Sequence, residues 1–431
     1  MHLVIVGNGV AGITCALEVR ARDPSCRITV ISGETDHFFS RTALMYAFMD
    51  RLQRPELEPY ERRVYDEKRI DRVRDWVVDL DAGARCLTLQ SGKSMTYDKL
   101  VLALGARPRT GGWDGLAAVK DGLVNFVSMQ DLDACERLAP LAKRAVVVGG
   151  GLIGIELVEC LVHFRIPVTF LVREPWYWPV ALGLEESELV AAQLLHHGVD
   201  VRFGDGLATI QTDAAGRVNG VTTTANHALP CELLGICIGV QPAIDRLRSF
   251  KSQPALAKGV LVNELLETSL PEVWACGDCA EIQFTGGRML NETIWYSAKR
   301  QGRLVAENVL GKSARYNPPI FFNSSKFFEM EFTTVGDVMN QPDGTPSIYR
   351  RHPTRNVSQR IVHNGKRVLG FNMLGSRWNH EVLQQWIVDA RSPEFVTAHL
   401  KDAQFDVEFG RFPLSAMQET SIPLKGCWGP T

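Results

Sequence analysis

The 431-residue chain lacks any run approaching eighteen consecutive apolar residues, which excludes a helix long enough to span a bilayer. It also lacks a charge excess: 47 Lys and Arg against 49 Asp and Glu leave a net charge of -2. No broad single-sign field exists for nucleic acid or an acidic membrane surface. Met1 and His2 lead straight into an apolar strand with no basic leader, so the expectation is a soluble, cytoplasmic protein. Cysteine is present but lacks pattern. Cys15, Cys26, Cys86, Cys135, Cys160, Cys231, Cys237 and Cys427 are scattered, mostly in apolar segments where the thiol serves as a small hydrophobe. Cys276 and Cys279 alone form a CxxC, and no second CxxC or His pair accompanies them to complete a zinc site. His196-His197 precedes Gly198 at an apparent helix end and reads as a C-cap with a solvated imidazole rather than as metal ligands.

Apolar residues make up 45% and charged residues 22%, which excludes disorder as the main state. The length suggests about three domains at roughly 150 residues each. Glycine is the informative residue. His2 to Val6 is an apolar strand, followed by Gly7-Asn8-Gly9-Val10-Ala11-Gly12 and a helical stretch to about Arg20. Gly7 permits the tight turn, Gly9 lets the backbone approach a pyrophosphate, and Gly12 lets the helix pack on the strand. The helix N-terminus, from Val10 and Ala11 onward, then offers N–H groups to phosphates. A second strand, Arg27 to Ile31, is followed by Glu34, placed to accept hydrogen bonds from ribose hydroxyls. The pattern recurs 142 residues later: strand Ala145 to Val148, then Gly149-Gly150-Gly151-Leu152-Ile153-Gly154, a helix through Leu161 and a strand Val168 to Val172. Two nucleotide sites, or one and a decayed copy, follow from this repeat.

Three further segments set the assignment: Lys99 to Ala106, with its turn at Ala103 and Gly105; Gly235 to Gly239; and Val273 to Asp278, ending Gly277-Asp278. With them the chain resembles the glutathione-reductase-like flavoproteins, the pyridine nucleotide-disulfide oxidoreductase superfamily, over about residues 1 to 311. The resemblance implies an α/β fold with two Rossmann-like domains, one for FAD and one for NAD(P)H, plus a C-terminal α+β interface domain. The implied boundaries are 1–111 with 255–311 for FAD, 112–254 for NAD(P), and 312–431 for the interface domain. FAD falls to the first glycine turn and to Gly277 and Asp278, with Val77 against the adenine; NADH or NADPH falls to the second. His37 to Leu44 is similar to a segment of rubredoxin and ferredoxin reductases, of the FAD portion of nitrite reductase and of apoptosis-inducing factor. It implies Arg41 near the flavin pyrophosphate, although Thr42 stands where a proline is common. Thr42 also aligns, counting from Phe39, with the active-site cysteine of coenzyme A disulfide reductases. A hydroxyl there cannot form a mixed disulfide or a sulfenate. No CxxxxC accompanies the first helix.

The resemblance implies that Glu156, two residues after Gly154, orients the nicotinamide, although an acid in a first turn also suits the helix dipole. It implies that Trp295 borders the flavin at the start of the helix running to Leu310. Arg173 and Glu174 leave the strand ending at Val172; the acid suits a 2′-hydroxyl and the arginine a 2′-phosphate, and NADH is favoured. After Asn317-Pro318-Pro319 come apolar runs at Ile320 to Phe322, Phe327 to Phe332 and Val368 to Met373, then a helix near Asn379 to Ala390. His352-Pro353 precedes the Val368 strand, so the interface-domain histidine role of disulfide reductases is not carried over. Phe395, Phe405, Phe409, Phe412 and Trp428 read as core packing ahead of a partner-binding surface. The expected activity is FAD-dependent NAD(P)H oxidation without a thiol, delivering electrons to a ferredoxin, rubredoxin or partner redox subunit. The alternatives are an NADH oxidase or quinone reductase, and an NADH-sensing interaction protein. A homodimer or complex through the C-terminal domain is expected, with no nucleic acid.

Overall fold

The computed structural model describes residues 1–405 and 414–425, so Phe409, Phe412, Cys427 and Trp428 lie outside the described residues. In chain order the principal elements begin with β1 (His2–Val6), α1 (Val10–Arg22), β2 (Arg27–Ser32), β3 (Ile70–Arg74) and β4 (Lys99–Leu102). The repeat follows as β5 (Ala145–Val148), α2 (Leu152–His163), β6 (Val168–Val172), α3 (Leu184–His196), β7 (Asp200–Phe203) and β8 (Leu233–Ile236). Then come β9 (Val273–Ala275) and α4 (Trp295–Val309). The C-terminal part holds β10 (Phe322–Phe327), β11 (Met330–Gly336), β12 (Ser347–Arg351), β13 (Ser358–His363), β14 (Val368–Leu374), α5 (His380–Val388), α6 (Pro393–His399) and β15 (Gln418–Ser421).

Two compact units result. The first comprises Met1–Arg109, Val127–Asp133 and Gly239–Pro318. Its parallel sheet has the order β9-β4-β1-β2-β3. Leu3, Val4 and Ile5 are wholly buried, as a central parallel strand requires, each contributing about 1.5–3 kcal/mol. Helix α4 packs on α1 at Gly302, where a Cβ would meet the Ala11 carbonyl oxygen at 2.4 Å.

The second unit comprises Thr110–Phe126, Ala134–Ile238 and the described residues from Pro319 onward. Its parallel sheet, β7-β6-β5-β8, gains the edge strand Leu123–Val124. An antiparallel sheet of order β10-β11-β14-β13-β12-β15 forms the α+β part, with Phe371, Leu383, Trp386 and Val396 in one buried cluster beside α5 and α6. The fold is thus α/β with two dinucleotide-binding sheets and a C-terminal α+β portion. Residues 239–254, grouped with the nicotinamide segment from sequence, lie in the first unit. The strand Val240–Pro242 pairs with Ala106–Pro108, so the chain has already crossed back by Gly239. Val127–Asp133 joins the same unit because Arg41 donates to the Val127 carbonyl at 2.8 Å and the Met129 N–H reaches Glu34 at 3.3 Å.

Candidate functional site

The first cradle is built by β1, α1 and the ends of β4 and β9. Gly7 has φ +115°, and a Cβ there would sit 2.0 Å from the Ala103 carbonyl oxygen. Gly12 is closed by the Gly7 carbonyl oxygen at 2.0 Å, so helix and strand meet backbone to backbone. Gly9, the N-cap of α1, has nothing within 4 Å of the point a Cβ would occupy, and neither does Gly105. That leaves open space in front of the α1 N–H groups, where a pyrophosphate fits. Val10 and Ala11 line the same helix start, and Ala11 lies against Gly277, whose Cβ would approach the Ala11 Cβ at 3.0 Å. The Asp278 carboxyl is pushed up to about 6 by burial, with Arg41 opposing. At neutral pH it remains mostly an anion able to accept from hydroxyls. The Trp295 indole N–H, at the start of α4, is buried without a partner. An orphaned donor, an open helix terminus and a desolvated carboxylate fit a bound FAD.

Other placements refine the expectation. Glu34 and Arg41, assigned separately to ribose and pyrophosphate, form a two-point ion pair, with Arg41 Nη1 on Glu34 Oε1 at 2.8 Å and Nη2 on Oε2. Thr42 shares a hydrogen bond with Ser40 Oγ at 3.0 Å. Val77 is buried in the first unit's core, while its neighbour Trp76 lies across Gly33, where a Cβ would be 2.1 Å from the indole. Gly239, with φ +96°, accepts the Arg109 N–H at 3.0 Å. Two braces were missed from sequence. Tyr65 donates to Asn8 Oδ1 within the glycine turn at 3.2 Å. Gln301 Oε1 accepts the Gly277 N–H at 2.7 Å, which ties α4 to the Gly-Asp turn.

The second cradle repeats the first. Gly149 has φ +113°, with a Cβ 2.3 Å from the Cys237 carbonyl oxygen, and Gly154 is closed by the Gly149 carbonyl oxygen at 2.1 Å. Gly151 caps α2 and is open, with Leu152 and Ile153 half-buried beside it. Glu156 follows on the first turn and a half of α2. Although the residue as a whole is half-buried, its carboxyl is pushed up to about 8, first by burial and then by the Glu159 charge, with Lys326 opposing. Glu159 is itself occupied, accepting from Lys326 Nζ at 2.7 Å and the Phe328 N–H at 3.2 Å. At the end of β6, Arg173 Nη2 bonds Glu174 Oε1 at 2.9 Å; the arginine side chain is 80% exposed and the glutamate 25%. The acid is therefore the more buried member.

None of the nine cysteines among the described residues forms a disulfide, and all but Cys86 are buried. Burial pushes the Cys279 thiol up to about 11 and holds Cys15 and Cys276 well above the ordinary range. None of these three is disposed to be a thiolate nucleophile. The Cys279 Sγ lies 3.4 Å from the Leu102 carbonyl oxygen, a packing position. His197 caps α3, stacks on Phe328 at 4.1 Å and meets Glu329 at 3.0 Å, so its imidazole is engaged rather than simply solvated. Among the described residues no helix is long and apolar enough to cross a membrane.

Two glycine-turn cradles with these surroundings define an FAD-dependent NAD(P)H oxidoreductase. Residues 1–302 match the pyridine nucleotide-disulphide oxidoreductase family, and the chain belongs to it. The 5,5′-dehydrodivanillate O-demethylase ferredoxin reductase subunit of Sphingobium sp. is 30% identical over 342 residues, 77% of this chain and 81% of that protein. The ferredoxin reductase component of the Cupriavidus sp. chlorobenzene dioxygenase is 31% identical over 318 residues, covering 72% and 75%. In fold, the chain is similar to the covalent putidaredoxin reductase–putidaredoxin complex, with TM-score 0.81, 22% identity and coverage of 92% and 95%.

Proposed function

We propose that this chain is the reductase of an electron-transfer pair, oxidising NADH and passing electrons to a ferredoxin- or rubredoxin-like iron–sulfur protein. The observation that carries the reading is the coexistence of two complete cradles with a hydroxyl, Thr42, where a thiol would be required. Bound FAD supplies acceptance of a hydride from nicotinamide C4 and its release as electrons. The protein's own residues bind and orient. The α1 and α2 N-termini hold the two pyrophosphates, and Glu174 bonds the ribose 2′-hydroxyl and disfavours a 2′-phosphate. Glu156 orients the nicotinamide carboxamide, and Asp278 accepts from the ribityl chain. Trp295 borders the flavin with its free N–H. Relatives named as ferredoxin reductase components and as rubredoxin-NAD(+) reductase support the acceptor class. The reading includes three functional domains, a cytoplasmic site of action and a self-associating C-terminal portion.

The test is anaerobic. The enzyme is reduced with NADH and then mixed with oxygen, a quinone analogue or an iron–sulfur protein. Fast reoxidation by the iron–sulfur protein alone is expected. Rapid reoxidation by oxygen or the quinone analogue would replace this reading with an oxidase or quinone reductase. A persistent long-wavelength band with negligible turnover would replace it with an NADH sensor.

A further inference from the structure

Arg360, on β13, is 1% exposed and sits in the second unit against the first turn of α3. Its Nε meets Glu186 Oε1 at 2.5 Å and its Nη2 meets Glu186 Oε2 at 2.8 Å and Glu185 Oε2 at 2.5 Å. Its Nη1 donates to Ser347 Oγ at 3.0 Å, and the guanidinium lies 4.9 Å from the centre of the Tyr349 ring. Glu186 is wholly buried. Asn372, paired with Arg360 across β13 and β14, donates to the Ala181 carbonyl at 2.6 Å. Gly183 fits between the charges, for a Cβ there would lie 2.8 Å from Glu186 Oε2 and 2.9 Å from Arg360 Nη2. The C-terminal sheet thus holds the end of the stretch between β6 and α3, and the first turn of α3, through Arg360 and Asn372.

That stretch reaches the second glycine turn. The Tyr177 N–H donates to Ser187 Oγ at 2.7 Å, one residue past Glu186. The Tyr177 ring is wholly buried, and its hydroxyl donates to the Gly151 carbonyl at 3.4 Å. The same stretch begins at Arg173 and Glu174. A buried ion pair is commonly no more stabilising than apolar residues of the same volume, but a forked guanidinium between two carboxylates is satisfied in one orientation only. Orientation, rather than stability, is what this cluster supplies.

We propose that Arg360 is a positioning residue for the pyridine nucleotide, acting through Glu186, Ser187 and Tyr177 on the Gly151 turn. The proposal rests on the reading of that turn as the nicotinamide-nucleotide site. The C-terminal sheet therefore sets nucleotide affinity from outside the cofactor contacts.

The test uses the FAD-loaded full chain. Arg360→Lys keeps the charge and loses the fork, while Ser187→Ala and Tyr177→Phe cut the same route without disturbing the buried charges. Expected for Arg360→Lys is a KM for NADH raised about tenfold, with kcat at saturating NADH within about twofold of wild type. The Kd of NAD⁺ by equilibrium dialysis rises in parallel, and FAD content and flavin spectrum are unchanged. Ser187→Ala and Tyr177→Phe raise KM about threefold, and they carry the test if Arg360→Lys does not fold. Folded variants with wild-type KM and Kd overturn the proposal, whatever their Tm. If NADH and NADPH both fail to reduce the wild-type flavin, the reading of the nucleotide site falls and the proposal with it.

Discussion

Glu156→Gln is the most informative single change. The Glu156 carboxyl is pushed from the ordinary 4.5 up to about 8, chiefly by burial, with the Glu159 charge second. At pH 7 the native protein therefore holds that proton and the unfolded chain does not. Between the two values the native state binds more protons, so stability falls as pH rises through this window. The whole displacement corresponds to about 5 kcal/mol at ~1.4 kcal/mol per tenfold in proton affinity, and solvent access to a half-buried residue cuts it to roughly 2–3 kcal/mol. Glutamine keeps the shape and an N–H donor without titrating. Urea unfolding at pH 5 and pH 9 should show Glu156→Gln gaining about 2–3 kcal/mol on wild type across the interval. Function follows the same proton. A neutral carboxyl can donate to the carboxamide oxygen and an ionised one cannot, so the wild-type KM for NADH should climb above about pH 8 while that of Glu156→Gln stays level. Parallel pH dependences in both assays would refute the buried, protonated state.

Gly7→Ala places a methyl 2.0 Å from the Ala103 carbonyl oxygen at φ +115°, and the protein should purify with less than about a tenth of the normal FAD, read from its visible absorbance. Gly154→Ala meets the Gly149 carbonyl oxygen at 2.1 Å and should keep FAD while losing at least about tenfold in kcat/KM for NADH. Double replacement of Cys276 and Cys279 by alanine should leave NADH-dependent flavin reduction within about twofold of wild type, since both are buried packing groups; loss of reduction with FAD retained would revive thiol chemistry. Glu174→Ala should shift the NADH-to-NADPH ratio of kcat/KM by at least about tenfold toward NADPH, because the exposed Arg173 then faces the ribose alone.

Both cradles were legible in sequence because their constraints are local: within six residues a turn must reverse, a helix must start and two backbones must touch, and Gly7, Gly9 and Gly12 meet those demands. The helix and strand starts followed from the same periodicity. What escaped was long-range. The return of the chain at Gly239 depends on the three-residue pairing of Val240–Pro242 with Ala106–Pro108, too short to carry a pattern. Arg360 and Glu186 are 174 residues apart, and nothing near either residue announces that they meet. Glu34 was given the ribose on spacing and Arg41 the pyrophosphate on resemblance, and neither reading shows that the two side chains pair with each other. Motifs report backbone geometry; they do not report which side chains share a buried charge.

The proposed function rests on hydride transfer to a flavin with no second redox group among the described residues. It is tested most directly by anaerobic titration of the FAD-loaded protein with NADH, following the flavin absorbance. Complete bleaching is expected at about one NADH per FAD, since the flavin takes up two electrons and no dithiol shares them. An end point near two NADH per FAD, or a long-wavelength thiolate–flavin band at half-reduction, would contradict it.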